Sequence, residues 1–199
     1  MKSNFKSAVI IAAALFVSLF GLTSCNYNGM VELDEAVTSQ WAQVQNQYQR
    51  RYDLIPNLVN TVKGYAQHEA EVLEQVTQAR SNAGGVVNVD ESILQDPEAF
   101  ERYQKVQDEL GASLQRLLVV TENYPELKAD KNFLALQDEL AGTENRIAVE
   151  RKRYNDLVKK FNATIRKFPN NLWANKFGFE KREYFAAESQ AQSAPKVEF

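Results

Sequence analysis

A single cysteine stands among the 199 residues, and its neighbours define its chemistry. Leu22-Thr23-Ser24-Cys25 follows directly on an uncharged apolar stretch, Ala8 to Phe20, which Lys2 and Lys6 precede. A positive start, an apolar run and small residues before a thiol form the order of a bacterial lipoprotein signal peptide. In such a segment cleavage exposes the cysteine and its sulfur accepts a diacylglyceryl group. The competing reading is an uncleaved anchor helix with an incidental cysteine, but the apolar stretch falls short of the roughly 20 residues that a spanning helix needs. Two or three acyl chains anchor stably, each buried methylene contributing about 0.8 kcal/mol. A lipid on Cys25 therefore suffices as the attachment to a membrane.

Polar residues inside an apolar helical pattern are the second source of chemistry. Phe133, Leu140, Ile147, Tyr154, Phe161 and Phe168 recur at sevens, the spacing of a bundle seam. The companion column holds Gln137, Glu144, Arg151, Val158 and Ile165, which puts three polar side chains at core positions. Buried charges must be paired, and earlier parts of the chain offer Arg50, Arg51, Asp53, Glu69 and Arg80. The expectation is that Glu144 and Arg151 join a polar layer with some of these. Fixing helix register is its favoured role, as for polar core residues of coiled coils, ahead of an ion or ligand site.

Other motifs exclude more than they offer. His68-Glu69 begins like the zinc-protease pattern H-E-x-x-H, but the fifth position is Val72 and the chain has no other histidine. A partly buried, hydrogen-bonded histidine is the expectation there. One cysteine and one histidine leave no thiolate or imidazole cluster, so no metal site and no cofactor is expected. No nucleophile and base stand in a readable pattern, so no catalytic residues are expected. Cleavage before Cys25 would leave 21 basic against 26 acidic residues, a balance opposite to that of nucleic-acid binders.

These groups need elements to hold them. Helical periodicity runs from Tyr27 to about Arg80, through Val37, Trp41, Val44, Tyr48, Ile55, Leu58, Val62, Val72 and Val76. Pro56 predicts a break or kink between Arg51 and Pro56, with Asp53 capping the helix that follows. Gly84 to Gln95 reads as a loop. Asp96-Pro97-Glu98 starts a helix that carries Phe100, Tyr103, Val106, Leu110, Leu114 and Leu117 and stops near Asn123-Tyr124-Pro125. The last long helix spans about Asp130 to Lys167, ended by Phe168-Pro169, and its basic C-terminal end complements the helix dipole. The fold predicted is all-α, an antiparallel up-and-down bundle of three to four long helices. Its parts are a signal peptide (1–24), a bundle domain (25–180) and a polar, flexible tail (181–199).

After Pro169 the chain is rich in aromatics: Trp173, Phe177, Phe179, Tyr184 and Phe185, with Leu172. A short helix capping the open end of the bundle is the favoured reading. The functional alternative makes Trp173, Phe177 and Phe179 a docking patch for a partner or a bilayer interface.

Several stretches resemble the LemA family. Tyr27-Asn28, the run from Gln49 through Tyr52-Asp53-Leu54-Ile55-Pro56-Asn57 to Val59, Lys63-Gly64-Tyr65 and His68-Glu69 look like its first signature. Glu122-Asn123-Tyr124-Pro125, Glu144-Asn145-Arg146-Ile147, Arg151, Tyr154-Asn155, Asn162 and Phe168-Pro169 look like its second. The resemblance covers nearly all of the chain from Tyr27 to about Phe179. It implies a membrane-attached bundle of four-helix type without established enzymatic activity, one relative being associated with magnetosome membranes. Many relatives carry an N-terminal transmembrane helix where this chain has a lipobox, so the anchor differs. Together these readings point to a non-enzymatic helical scaffold or interaction module of the bacterial envelope. It would be exported, tethered through Cys25 at the inner or outer membrane or the cell surface, and able to self-associate. No partner is named by the residues. The alternative is a small-ligand or ion receptor, or an unrecognised enzyme, using the polar layer.

Overall fold

The computed structural model describes residues 2–66, 69–84 and 89–186, with side chains from Tyr27 onward. Five helices follow in order: α1 (Lys2–Tyr65), α2 (Ala70–Gly84), α3 (Pro97–Thr121), the short α4 (Pro125–Lys128) and α5 (Lys131–Arg166). Single 3₁₀ turns lie at Glu91–Gln95, Asn170–Leu172 and Asn175–Phe177. Among the described residues there is no strand, and no helix is long and apolar enough to cross a membrane. His68 and residues 187–199 lie outside the described residues.

The helix starts are those the sequence signals. Asp96 accepts hydrogen bonds from the backbone N–H groups of Glu98 and Ala99, both at 3.0 Å, with Pro97 opening α3. Asp130 does the same for Asn132 and Phe133 at 2.8 and 2.9 Å, opening α5. Both satisfy N–H groups that a helix cannot pair internally.

Of the break or kink expected between Arg51 and Pro56, the break does not occur: α1 passes through Pro56 and the turn falls about ten residues later, after Gly64-Tyr65. Proline removes the N–H that would bond the carbonyl four residues earlier, here that of Tyr52. Arg80 of α2 supplies the missing donor. Its Nε reaches the Tyr52 carbonyl at 3.3 Å while the guanidinium lies 4.0 Å from the centre of the Tyr52 ring. Buried Ile55 and Leu58 hold the same stretch of α1 against the core. Asp53 is consequently not a cap; it is exposed and accepts from Gln49 Nε2 at 2.7 Å.

Cross-helix contacts set the topology. Arg80 beside Tyr52 turns α2 back along α1. Trp41 against Tyr103, and Arg51 bonded to Gln107, lay α3 parallel to α1. Contacts of Tyr65 with Asp130, Arg51 with Glu144 and Trp41 with Tyr154 run α5 antiparallel to α1. The result is an up-down-up-down bundle.

Its core divides into two clusters. One, remote from the N-terminal entry of α1, packs Ile55, Leu58, Val62, Leu73, Val76, Leu110, Leu114, Leu117, Leu127, Phe133 and Leu140 from all five helices. The other, on the entry side, packs Met30, Val37, Trp41, Val44, Tyr48, Phe100, Tyr103, Ile147, Tyr154, Phe161 and Ile165. With 15 residues, α2 is too short to reach this second half. Its place is filled by the turn at Glu91–Gln95 and by an extended strap, Phe179–Ala186, whose Phe179, Arg182 and Phe185 are buried. The bundle domain therefore continues through residues 181–186, which the sequence assigned to the tail.

Candidate functional site

Between the two core clusters lies the polar layer. The buried residues of α1 follow a three-four repeat, Trp41, Val44, Tyr48, Arg51, Ile55, Leu58, Val62, and Arg51 is its polar member. In α3 the repeat Phe100, Tyr103, Gln107, Leu110, Leu114 makes Gln107 the counterpart. Glu144 stands at the same level of α5, between Leu140 and Ile147. Arg51, 3% exposed, donates from Nη1 to both carboxylate oxygens of Glu144 at 3.2 and 3.3 Å. Its Nη2 donates to the Gln107 carbonyl and to Gln107 Oε1 at 2.9 and 2.7 Å.

About two turns along α5 from Glu144 toward the entry side, Arg151 pairs with Asp108 at 3.0 Å and lies 4.7 Å from the centre of the Phe185 ring. Tyr48 Oη, Tyr103 Oη, Arg51 Nε and Gln107 Nε2 are buried without a protein partner. Burial raises the Tyr48 hydroxyl to a pKa of about 12, against the pull of Arg151 and Arg51, and raises Tyr103 and Tyr154 further. All three stay neutral at any physiological pH.

Of the expected layer, then, Arg51, Glu144 and Arg151 come together, while Arg50, Asp53, Glu69 and Arg80 do not. Arg50 pairs on the surface with Glu139 at 2.8 Å. Glu69 accepts from the Tyr124 hydroxyl at 2.9 Å, bracing the turn between α1 and α2. Arg80 serves the carbonyl freed by Pro56. Gln107 and Asp108 were missed. Gln107 interrupts an apolar repeat just as Glu144 does, so the signal was available once Gln107 rather than Val106 is placed in the seam.

The strap is a second polar construction. Asn162 gives Nδ2 to the Arg182 carbonyl at 2.8 Å and accepts the Arg182 N–H at 2.9 Å. Asn155 grips Phe185 the same way, both contacts at 2.9 Å, and Gln104 grips Ala186 at 3.0 and 3.1 Å. Three carboxamides thus supply the hydrogen bonds that a neighbouring strand would give. The Arg182 side chain pairs with Asp34 at 2.7 Å.

At the entry end the aromatic segment is divided. Ala174 and Phe179 are buried against the bundle, so part of it caps the open end. Phe168, Leu172, Trp173 and Phe177 are exposed. Of the expected docking patch, Trp173 and Phe177 face outward and Phe179 faces in.

The layer's carboxylates are engaged by arginines, and among the described residues no group of three His, Cys, Asp or Glu side chains lies close enough to hold a metal. A shallow cleft of ≈ 480 Å³, lined by Asn57, Asn60, Thr61, Asn132, Leu136 and Glu139, lies apart from the layer. Fold and layer define an all-α up-and-down bundle with a salt-bridged polar layer across its core.

The chain belongs to the LemA family, whose profile matches residues 40–199. It is similar to the magnetosome protein MamQ 2 of Paramagnetospirillum magneticum strain AMB-1, 24% identical over 192 residues, which are 89% of this chain and 71% of that protein. MamQ of Magnetospirillum gryphiswaldense is 25% identical over 80% of this chain and 64% of its own length. Protein LemA of Metamycoplasma hominis is 26% identical over 72% and 61%.

Proposed function

We propose that this LemA-family protein is a lipid-tethered, non-catalytic helical module of the bacterial envelope that works through protein interaction. The observation that carries the reading is the position of Cys25. The only cysteine follows an apolar run and stands two residues before Tyr27, whose ring meets Phe177 of the bundle. Relatives named as magnetosome proteins agree with a membrane setting. The polar layer supports the non-catalytic part, because its charged side chains are consumed in pairs between helices. The alternative, a small-ligand receptor, has the four unpartnered buried atoms in its favour. Against it stands the cleft, which does not reach them.

Metabolic labelling of the full chain with a clickable fatty acid tests the tether. The wild type takes up label and fractionates with membranes, and Cys25→Ser loses the label and keeps the longer, unprocessed N-terminus. An unlabelled wild-type chain would sink the reading.

A further inference from the structure

We infer that the exposed aromatic loop at the entry end of the bundle, Phe168–Phe177, inserts into the headgroup region of a phospholipid bilayer and sets the orientation of the domain on the membrane. This rests on the tether proposed above.

The loop lies beside Tyr27 of α1. The Tyr27 ring meets Phe177 edge-on at 5.0 Å and Phe179 at 5.8 Å. Tyr27 is two residues from Cys25, so their α-carbons are within about 7 Å. A lipid on Cys25 therefore holds this end of the bundle, and no other, at the bilayer surface.

The same end exposes apolar surface out of proportion to the rest. Phe168 is 79% exposed, Leu172 62%, Phe177 52% and Trp173 37%. With Tyr27 they make up half of the exposed large hydrophobics among the described residues; of the others, Tyr65, Val119 and Leu134 lie toward the opposite end of the bundle. Single exposed apolar residues need no explanation, whereas a cluster marks a contact surface.

The charge also fits a lipid surface. From Lys159 to Lys181 there are six basic residues and one acid, Glu180, in a chain that is acidic as a whole. Lys176 sits with its Nζ 5.6 Å from the Trp173 ring centre. Aromatic rings at headgroup depth with lysines reaching past them toward phosphate are the composition of a membrane interface. Each lysine or arginine near an anionic leaflet adds to the attraction.

The loop is built to present these rings. Buried Ala174 and Phe179 pin it to the core, and Asn170 Nδ2 bonds the Thr164 carbonyl at 3.0 Å. Successive tight turns close from Trp173 and Ala174 onto the Asn170 carbonyl. Gly178, at φ 78°, then turns the chain into the strap in a backbone conformation that favours glycine.

Trp173 is its own reporter, because the only other tryptophan, Trp41, is 1% exposed in the core. The lipidated full chain is reconstituted into phosphatidylethanolamine–phosphatidylglycerol vesicles with brominated acyl chains. Flotation reads the tether and tryptophan quenching reads the loop. The expected result is flotation with loss of up to about half of the emission, a loss absent from Trp173→Phe and from Phe168→Ser/Leu172→Ser/Phe177→Ser, which both still float. Flotation without quenching of the wild type overturns the loop insertion and leaves the tether standing; a protein partner or a second copy on this face gives that result. Quenching that persists in Trp173→Phe also overturns it. Failure to float overturns both readings.

Discussion

At Arg51 a guanidinium is held out of water by a carboxylate on one side and a carboxamide on the other, and the partners are not equivalent. The Glu144 side chain is 40% exposed and can rehydrate if Arg51 is lost, whereas Arg51 cannot. Glu144→Leu leaves a buried cation with half its partners and is expected to cost about 3 kcal/mol. Arg51→Met is expected to cost less, roughly 1 to 2 kcal/mol, through Gln107 left without its donor. The double variant should lie close to the milder single one. Urea denaturation of the set checks this, and equal, additive losses would refute the pairing. That Glu144 joins the polar layer was legible from its spacing to Phe133, Leu140 and Ile147, although its side chain is only partly buried. Its partner was not, because Arg50 and Arg51 are adjacent in sequence and only the rotation of α1 in the bundle decides which one points inward.

Among the elements, α1 shows how a second helix changes what a local rule predicts. Proline in a helix interior costs about 3 kcal/mol when its freed carbonyl goes unpaired. Here Arg80 reaches that carbonyl from α2, twenty-eight residues away in sequence. Arg80→Met is therefore expected to destabilise by roughly 1 to 2 kcal/mol. In a Pro56→Ala background the restored N–H bonds Tyr52 itself, and the same change should cost less than half as much. Thermal or urea unfolding of the four variants measures the coupling; the same cost for Arg80→Met in both backgrounds would remove Arg80 from this role. Gly84 belongs to the same arrangement, since a β-carbon there would come within 2.8 Å of the Tyr52 hydroxyl.

For the molecule as a whole, the polar layer separates a half built from all five helices from a half closed by three helices and a strap. The two halves should differ in response when the strap is loosened. Asn162→Ala leaves the N–H and C=O of buried Arg182 unpaired and is expected to cost about 2 kcal/mol. Native-state hydrogen exchange should then speed up for amides near Trp41 and Phe161 while those near Leu58 and Leu114 change little. A uniform increase across both halves would show that the layer does not partition the fold.

The helices themselves were determined by local physics: apolar spacing, the caps Asp96 and Asp130, and the prolines that open α3 and close α5. So was the all-α class, because each helix carries one apolar face and needs another to cover it. Only the tertiary structure decided which polar residues meet, that α1 continues through Pro56, and that the strap 179–186 packs Phe179, Arg182 and Phe185 into the core. Each of those outcomes depends on a group brought from far along the chain: Glu144 to Arg51, Arg80 to Tyr52, Asn162 to Arg182. A polar atom's partner is set by where the helices pack, and local sequence carries no record of it.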